Sequence, residues 1–367
     1  VADRPRALGL SDLGARAVVT RLRSNDGHTH PRLAVGSRSV AGAPSRSHQR
    51  SQALGAMERE LVWVDGEEAC RRACEQLCIA SAGPVAVDLE GTDLSRETGF
   101  CLLQAACREG PVYLFDVLTL GRQAFDAGLK HLLEQSGPRK LLFDPRADAD
   151  ALWQQYGVRL GNVLDVQVLY CWAAGWSSPY LPGMSRTTAD LSGLMDEVRE
   201  QLAELKDQGR RLYKPELGGD RAVWEERPLP PLLWRYAAAD VEVLFALHDE
   251  LCLQASEDQV LEVSQNRLRR HLARDVPETG AQRDFPVPPD FRTVFVSGGA
   301  VLTRTSTPEI IAHFSHYGKV VGVTHRQCNG DHALAFVEFA EASDALKAVR
   351  ASATARHRGS LGSVKWP

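Results

Sequence analysis

The sequence predicts an α/β protein with a second, smaller α+β module at its C-terminal end. Short apolar runs at 84–90, 100–107, 111–117, 140–143 and 163–166 read as strands, separated by turns such as Arg108-Glu109-Gly110-Pro111. A helical pattern is clearest over 234–244. From residue 293 the pattern strand, helix, strand, strand, helix, strand follows on a smaller scale. The length of 367 residues fits two domains plus tails, and 44% hydrophobic content is enough for two cores. The expected division is a basic segment 1–56, a large domain 57–274 with its core at 82–255, a Pro-rich linker 275–290, and a small domain 291–367. The first three strands are expected to form an antiparallel meander, because connections this short cannot make a parallel crossover.

The first strand, Val85 to Gly91, carries Asp88 and Glu90. Side chains alternate along a strand, so these two acids share a face and Leu89 points to the other. Neighbouring carboxylates repel unless a cation lies between them. Hard oxygen donors with no His or Cys beside them favour magnesium or manganese over zinc.

The helix over 234–244 carries Tyr236 and Asp240, four residues apart and therefore stacked on one face. A tyrosine one turn from a metal-binding acid can orient a water by hydrogen bonding.

A further acid comes from 144–153. Leu141, Leu142 and Phe143 read as a buried strand, and Asp144-Pro145 as a helix start with Asp144 as the cap and Pro145 at the first position. Asp148 then lies one turn before Leu152, on the inward face. Asp150 lies about 200° round the helix from Asp148 and is expected in solvent. Asp148 is therefore the ligand candidate.

Together Asp88/Glu90, Asp148 and Tyr236/Asp240 resemble the tyrosine branch of the ribonuclease D-like DEDD 3′-to-5′ exonucleases, with the nearest likeness to exonuclease 3′-5′ domain-containing proteins. Gly99 to Gln104, Phe143 to Asp148 and Trp224 to Leu229 add to the resemblance, which covers roughly residues 60–255. It implies a ribonuclease H-like fold, with a mixed sheet flanked by helices. It also implies two divalent cations, Mg2+ or Mn2+, about 3.5–4 Å apart and clamped by the four acids. One activates water for attack on the terminal phosphorus and the other stabilises the leaving 3′ oxygen. Tyr236 helps position the water, and the product is a nucleoside 5′-monophosphate. Related enzymes place a helical segment and a basic residue between the core and the last motif. Here that stretch, 174–222, is long, and Lys214 is the best match for the basic residue. The charged helix near 189–212 reads either as a solvated amphipathic face, as a wall of the substrate channel, or as a partner surface.

The C-terminal module resembles an RNA-recognition motif, a ferredoxin-like α+β fold. Thr307 is expected to cap its first helix with Pro308 at the first position, and Asn329-Gly330 to form a tight turn. A second helix is expected over 341–350 and a last strand over 363–366. Val294-Phe295-Val296 and the stretch from His332 to Phe339 resemble its two ribonucleoprotein motifs. Alternation puts Phe295, Leu334 and Phe336 on the open sheet face, and Val294, Val296, Val337 and Phe339 against the helices. Exposed phenylalanines stack bases. Leu334 stands where an aromatic is usual, His332 where Lys or Arg is usual, and Gly298-Gly299 replace a polar-apolar ending.

Charge divides the chain in the same way. Residues 1–56 carry nine Arg and three Asp, net +6; residues 290–367 carry nine basic and six acidic residues, net +3; the whole chain is −4, so the middle is −13. An acidic core suits multivalent cations, and basic flanks suit a phosphate backbone. Arg267, Arg269, Arg270 and Arg274 are candidates for that backbone contact, or else a solvated helix face. The Ser-, Arg- and Gly-rich 1–56 reads as disordered. Either Met57 is the true start, followed at once by a helix, or the segment belongs to an organellar transit peptide.

No long apolar run suggests a membrane span or a secretion signal. Cys70, Cys74 and Cys78 line one helix face as small core residues of a reducing compartment. The expected location is therefore intracellular, cytoplasmic or nuclear, or organellar if the transit reading holds. The expectation is a metal-dependent 3′-to-5′ exonuclease of single-stranded nucleic acid, RNA favoured. A catalytically silent adaptor and a DNA-repair exonuclease are the competing readings.

Overall fold

In the computed structural model, the described residues are 59–79, 83–97, 99–174, 178, 180–276, 280–328, 332–354 and 363–365. The N-terminal segment 1–56 and the Asn329-Gly330 turn lie outside them.

The larger domain is built on a six-stranded sheet. Its strands are β1 (Leu61–Val64), β2 (Val85–Gly91), β3 (Phe100–Ala106), β4 (Val112–Phe115), β5 (Lys140–Leu142) and β6 (Val163–Asp165), in spatial order β1-β4-β3-β2-β5-β6. The β2-β3-β4 meander is antiparallel as expected, with Asp88 opposite Gln104 and Gln104 opposite Leu114. β5 and β6 run parallel to β2, each after a helical crossover. β1 was not expected. Its four apolar residues pair in parallel with β4, and the helix read as following Met57 begins only at Glu67. A run that short carries no period that separates strand from helix.

Helices cover both faces. On one side are α1 (Glu67–Ile79) and the broken helical stretch 117–134. Cys70 and Cys74 of α1 are buried there with Leu103, Ala105 and Phe115, so these cysteines are core residues as read. α2 (Arg146–Tyr156) follows β5, and α3 (Val166–Ala173) follows β6. The long connection forms α4 (Met184–Ala189) and α5 (Asp196–Tyr213). On the other face α6 (Pro231–Leu251) packs on β2 and β3, and α7 (Glu257–Leu272) packs on β6. Ala237, Ala238 and Ala239 bring the α6 backbone close to the sheet, where they share a core with Leu102, Leu114 and Leu164. Each leucine so buried contributes about 1.5–3 kcal/mol.

Further local readings in the larger domain need correction. Asp144 is not a helix cap: its backbone is left-handed at φ 50°, Pro145 occupies the cap position, and α2 begins at Arg146. Its carboxylate instead pairs with Arg146 at 2.6 Å and with Arg267 at 3.2 Å. Asp150 is buried rather than solvated, because Arg96 at 3.0 Å and His271 at 2.9 Å cover it. Arg267 is neither a backbone-binding nor a solvated residue. It is fully buried among Asp165, Asp284 and Asp144. The Pro-rich linker is packed at 284–287: Phe285 and Val287 are buried in the larger core, and Asp284 anchors Arg267.

The smaller module has strands β7 (Thr293–Gly298), β8 (Val320–Gln327), β9 (Ala333–Phe339) and β10 (Ser363–Lys365), antiparallel in the order β10-β7-β9-β8. Helices α8 (Thr307–Phe314) and α9 (Ala342–Thr354) pack on it, and an unexpected short helix at Ala300–Arg304 adds Leu302 to the same core. The cap of α8 is Ser306, not Thr307. Glu309 answers it in a reciprocal capping box, and Thr307 and Pro308 sit inside the first turn. Val294, Val296, Val337 and Phe339 are fully buried, with Ile310 and Phe314 of α8 in the same core.

Candidate active site

The site forms where the end of β2 meets the middle of α6. Alternation on β2 sends Asp88 and Glu90 to the face covered by α6, while Leu89 is buried on the opposite face. Asp240 projects from α6 toward them. Oxygens of Asp88, Glu90 and Asp240 all lie within 4.8 Å of one another. Gln104, fully buried on the neighbouring strand, donates from Nε2 to Asp88 Oδ2 at 3.0 Å and fixes that carboxylate. Asp148, buried on α2, lies outside this threesome, but its charge is felt by both Asp88 and Glu90.

The electrostatics are those of acids crowded away from water. Burial first, then the charges of Asp240, Glu90 and Asp148, holds the Asp88 carboxyl well above the usual range. Burial, then Asp240, lifts Glu90 to about 8. Burial, then Asp144, lifts Asp148 to about 7. Such a set favours a bound cation, and an all-oxygen donor set suits hard Mg2+ or Mn2+. The residues present therefore fit the divalent ions that the family resemblance implies.

One positive charge already lies among them. Lys206 of α5 donates from Nζ to Asp240 Oδ2 and to the Tyr236 carbonyl at 2.7 Å, and sits 3.6 Å over the Tyr236 ring. Lys206 is thus a basic residue of the site that the sequence did not single out. Lys214 faces Glu216 at 3.8 Å on the surface. α5 thus packs on α6 and walls the acidic cluster. Gly209, one turn on, allows the approach: a Cβ there would meet the Tyr236 ring at 2.2 Å. Tyr236 is also gripped from above. Its hydroxyl is 2.8 Å from that of Tyr213, and the fully buried Trp224 packs edge-on at 6.3 Å between ring centres. Burial raises the Tyr236 hydroxyl far beyond its ordinary value, which keeps it neutral.

Of the residues singled out in the sequence, Asp88, Glu90 and Asp240 come together, Tyr236 stands one turn away, and Asp148 is near. Lys206, Gly209 and Tyr213 were missed. A glycine inside a charged helix was the available signal, since it costs about 1 kcal/mol there and marks a close approach. Phe295, Leu334 and Phe336 belong to a different sheet. Phe295 and Phe336 pair across β7 and β9 with ring centres 5.3 Å apart, and Phe336 is 37% exposed.

A sequence model of a family described as 3′-5′ exonuclease matches residues 61–255, just over half of the chain. Among curated proteins, the mouse piRNA biogenesis protein EXD1 is 32% identical over 177 residues, 47% of this chain and 29% of its own length. The human piRNA biogenesis protein EXD1 is 32% identical over 174 residues, 47% of this chain and 32% of its own. The chain thus spans about a third or less of the length of these relatives. Among solved structures, the Trypanosoma brucei RNase D complex with RNA U12 matches with a TM-score of 0.54 and 28% identity. That match covers 64% of this chain and 80% of the other. The T. brucei RNase D: GMP complex matches at 0.52 with 29% identity, over 63% of this chain and 69% of that one. The mixed sheet flanked by helices fits the ribonuclease H-like exonuclease fold. Among the described residues, no helix is long and apolar enough to cross a membrane.

Proposed function

Because the chain belongs to the 3′-5′ exonuclease family, we propose that it removes nucleotides from the 3′ end of single-stranded RNA in a reaction dependent on divalent cations. The observation that carries this reading is the meeting of Asp88, Glu90 and Asp240 at one end of β2, with Tyr236 one helical turn from Asp240.

Asp88, Glu90, Asp148 and Asp240 would hold two ions, Mg2+ or Mn2+. Bound there, the ions supply Lewis-acid stabilisation of the charge that develops on phosphoryl and leaving oxygens. The protein's own groups do the rest. Gln104 keeps Asp88 turned into the site. The Tyr236 hydroxyl, too buried to ionise, donates a hydrogen bond that orients the attacking water. Tyr213 and Lys206 hold the Tyr236 side chain in place. Hydrolysis at the last phosphodiester releases a nucleoside 5′-monophosphate.

RNA is favoured over DNA on two grounds. The T. brucei RNase D structure at 28% identity is titled as an RNA complex, and the EXD1 relatives are named for piRNA biogenesis. The division into an exonuclease domain 57–274 and an RNA-recognition-like domain 291–367, joined by a stretch whose residues 284–287 pack on the larger core, belongs to the same proposal. In the small domain, Phe295, Leu334 and Phe336 would give a stacking face that retains single strands.

The test is incubation of purified protein with 3′-labelled single-stranded RNA, single-stranded DNA and duplexes, with Mg2+, with Mn2+ and with chelator. Metal-dependent release of 5′-monophosphates, faster from single-stranded RNA, is expected. Binding of all substrates without cleavage under every condition would support a silent adaptor instead. Preferential cleavage of DNA would support a repair exonuclease.

A further inference from the structure

A second cluster of metal-ligating groups lies at the far end of α6, away from the acids described above. His248 and Cys252 are four residues apart at the helix C-terminus, so they share one face. Glu257 opens α7 and turns back toward them. The ligand atoms of His248, Cys252 and Glu257 all lie within 4.8 Å of one another. His248 is eight residues from Asp240, about 12 Å along the helix axis.

The distances fit a small tetrahedral ion. His248 Nε2 is 3.3 Å and Cys252 Sγ is 3.4 Å from Glu257 Oε1. A tetrahedral zinc with nitrogen and oxygen donors at about 2.0–2.1 Å sets them about 3.3 Å apart, and sulfur at about 2.3 Å lies about 3.5 Å from such an oxygen. His248 is 7% exposed, and its Nε2 makes no hydrogen bond despite its nearness to Glu257. A buried ring nitrogen left without a partner is costly unless something else occupies its lone pair.

The surroundings support the same occupant. His248 Nδ1 is 3.6 Å from Asp249 Oδ1, a carboxylate close enough to orient the ring after a small side-chain shift. Arg108 Nη2, which can only donate, is 3.4 Å from Nδ1 and is itself paired with Asp249. Arg139 takes Glu257 Oε2 and stands 4.0 Å from Asp258, which leaves Oε1 for the cluster. A divalent ion with one thiolate and one carboxylate is neutral, and the two arginines are balanced by Asp249 and Asp258.

We propose that His248, Cys252 and Glu257 form a zinc-type site, with water as the fourth ligand, that ties the end of α6 to the start of α7. Glu257 is about one-third exposed, so an ion and a water can reach it. Binding would release the thiol proton of Cys252 to solvent.

The test is optical titration of the metal-stripped full chain with Co2+, then with Zn2+. The catalytic acids contain no sulfur, so a thiolate-to-cobalt charge-transfer band reports this cluster and not theirs. The band is expected to saturate stoichiometrically and to vanish when Zn2+ is added. Cys252→Ser is expected to abolish it, whereas Cys328→Ser, at an exposed cysteine, is expected to keep it. Glu257→Gln, at a partly exposed residue that should still fold, is expected to weaken cobalt affinity about tenfold or more. No band in the wild type, a band that persists in Cys252→Ser, or unchanged affinity in Glu257→Gln would overturn the proposal and leave a hydrogen-bonded polar cluster.

Discussion

Gly209 and Tyr236 are fitted to each other: a Cβ on Gly209 would lie 2.2 Å from Tyr236 Cδ2 and 2.9 Å from Cγ. The ring cannot retreat, because Trp224 and Tyr213 pack on it with centres 6.3 and 5.6 Å away. Gly209→Ala should therefore displace the Tyr236 hydroxyl. A shift of that kind costs about 10²-fold in rate when the displaced group positions a reactant. Steady-state kinetics on single-stranded RNA should show kcat reduced by about that factor with KM little changed. An unaltered kcat would mean that Tyr236 does not position the nucleophile.

Lys206 carries positive charge into a site built of carboxylates. Its pair with Asp240 is largely buried, with 12% of each side chain exposed. Removing one partner of such a pair costs about 3–5 kcal/mol. Lys206→Met should lower the denaturant midpoint in chelator accordingly, and saturating Mg2+ should recover most of the loss by supplying the missing charge. Equal losses with and without Mg2+ would show that the lysine and the ion do not share the site.

The same crowding predicts a pH dependence. Glu90 is held up to about 8 and Asp148 to about 7, both first by burial. In the unfolded chain such groups ionise near about 4. Between those values the folded, ion-free protein keeps protons that the unfolded chain has lost, so its stability falls as pH rises. Urea denaturation in chelator should give a lower midpoint at about pH 9 than at about pH 5, and Mg2+ or Mn2+ should flatten or reverse the trend, because the ions bind the deprotonated acids. Stability that rises with pH in chelator would contradict the account of these carboxyls.

On the small sheet, Phe295 and Phe336 lie side by side, Phe336 exposed and Phe295 half-buried. If they stack bases, each contributes about 1–3 kcal/mol to RNA binding. The Phe295→Ala, Phe336→Ala double variant of the full chain should raise KM for single-stranded RNA about tenfold or more and leave kcat in place. Unchanged KM would remove this face from substrate binding.

Most of the candidate site was legible because it follows from short-range geometry. Two-residue alternation put Asp88 with Glu90, and four-residue spacing put Tyr236 over Asp240; both hold. Tertiary partners were not legible. Asp150 reads as solvated until Arg96 and His271 cover it, and Arg267 reads as a surface charge until Asp144, Asp165 and Asp284 surround it. Lys206 was not singled out because nothing in a charged helix says which turn faces a neighbour. β1 escaped because its pairing with β4 joins residues 51 positions apart and leaves no local mark.

The most direct test of the central claim joins ion binding to cleavage in the same molecules. Mn2+ binding and Mn2+-dependent release of 3′-terminal nucleotides should be measured for the wild type, Asp88→Asn and Asp240→Asn, with circular dichroism as the control for folding. If the acids share their ions, each variant keeps its fold, binds Mn2+ more weakly and loses several kcal/mol of transition-state stabilisation, a fall of about 10³-fold or more in rate. Wild-type rates in both folded variants would contradict it.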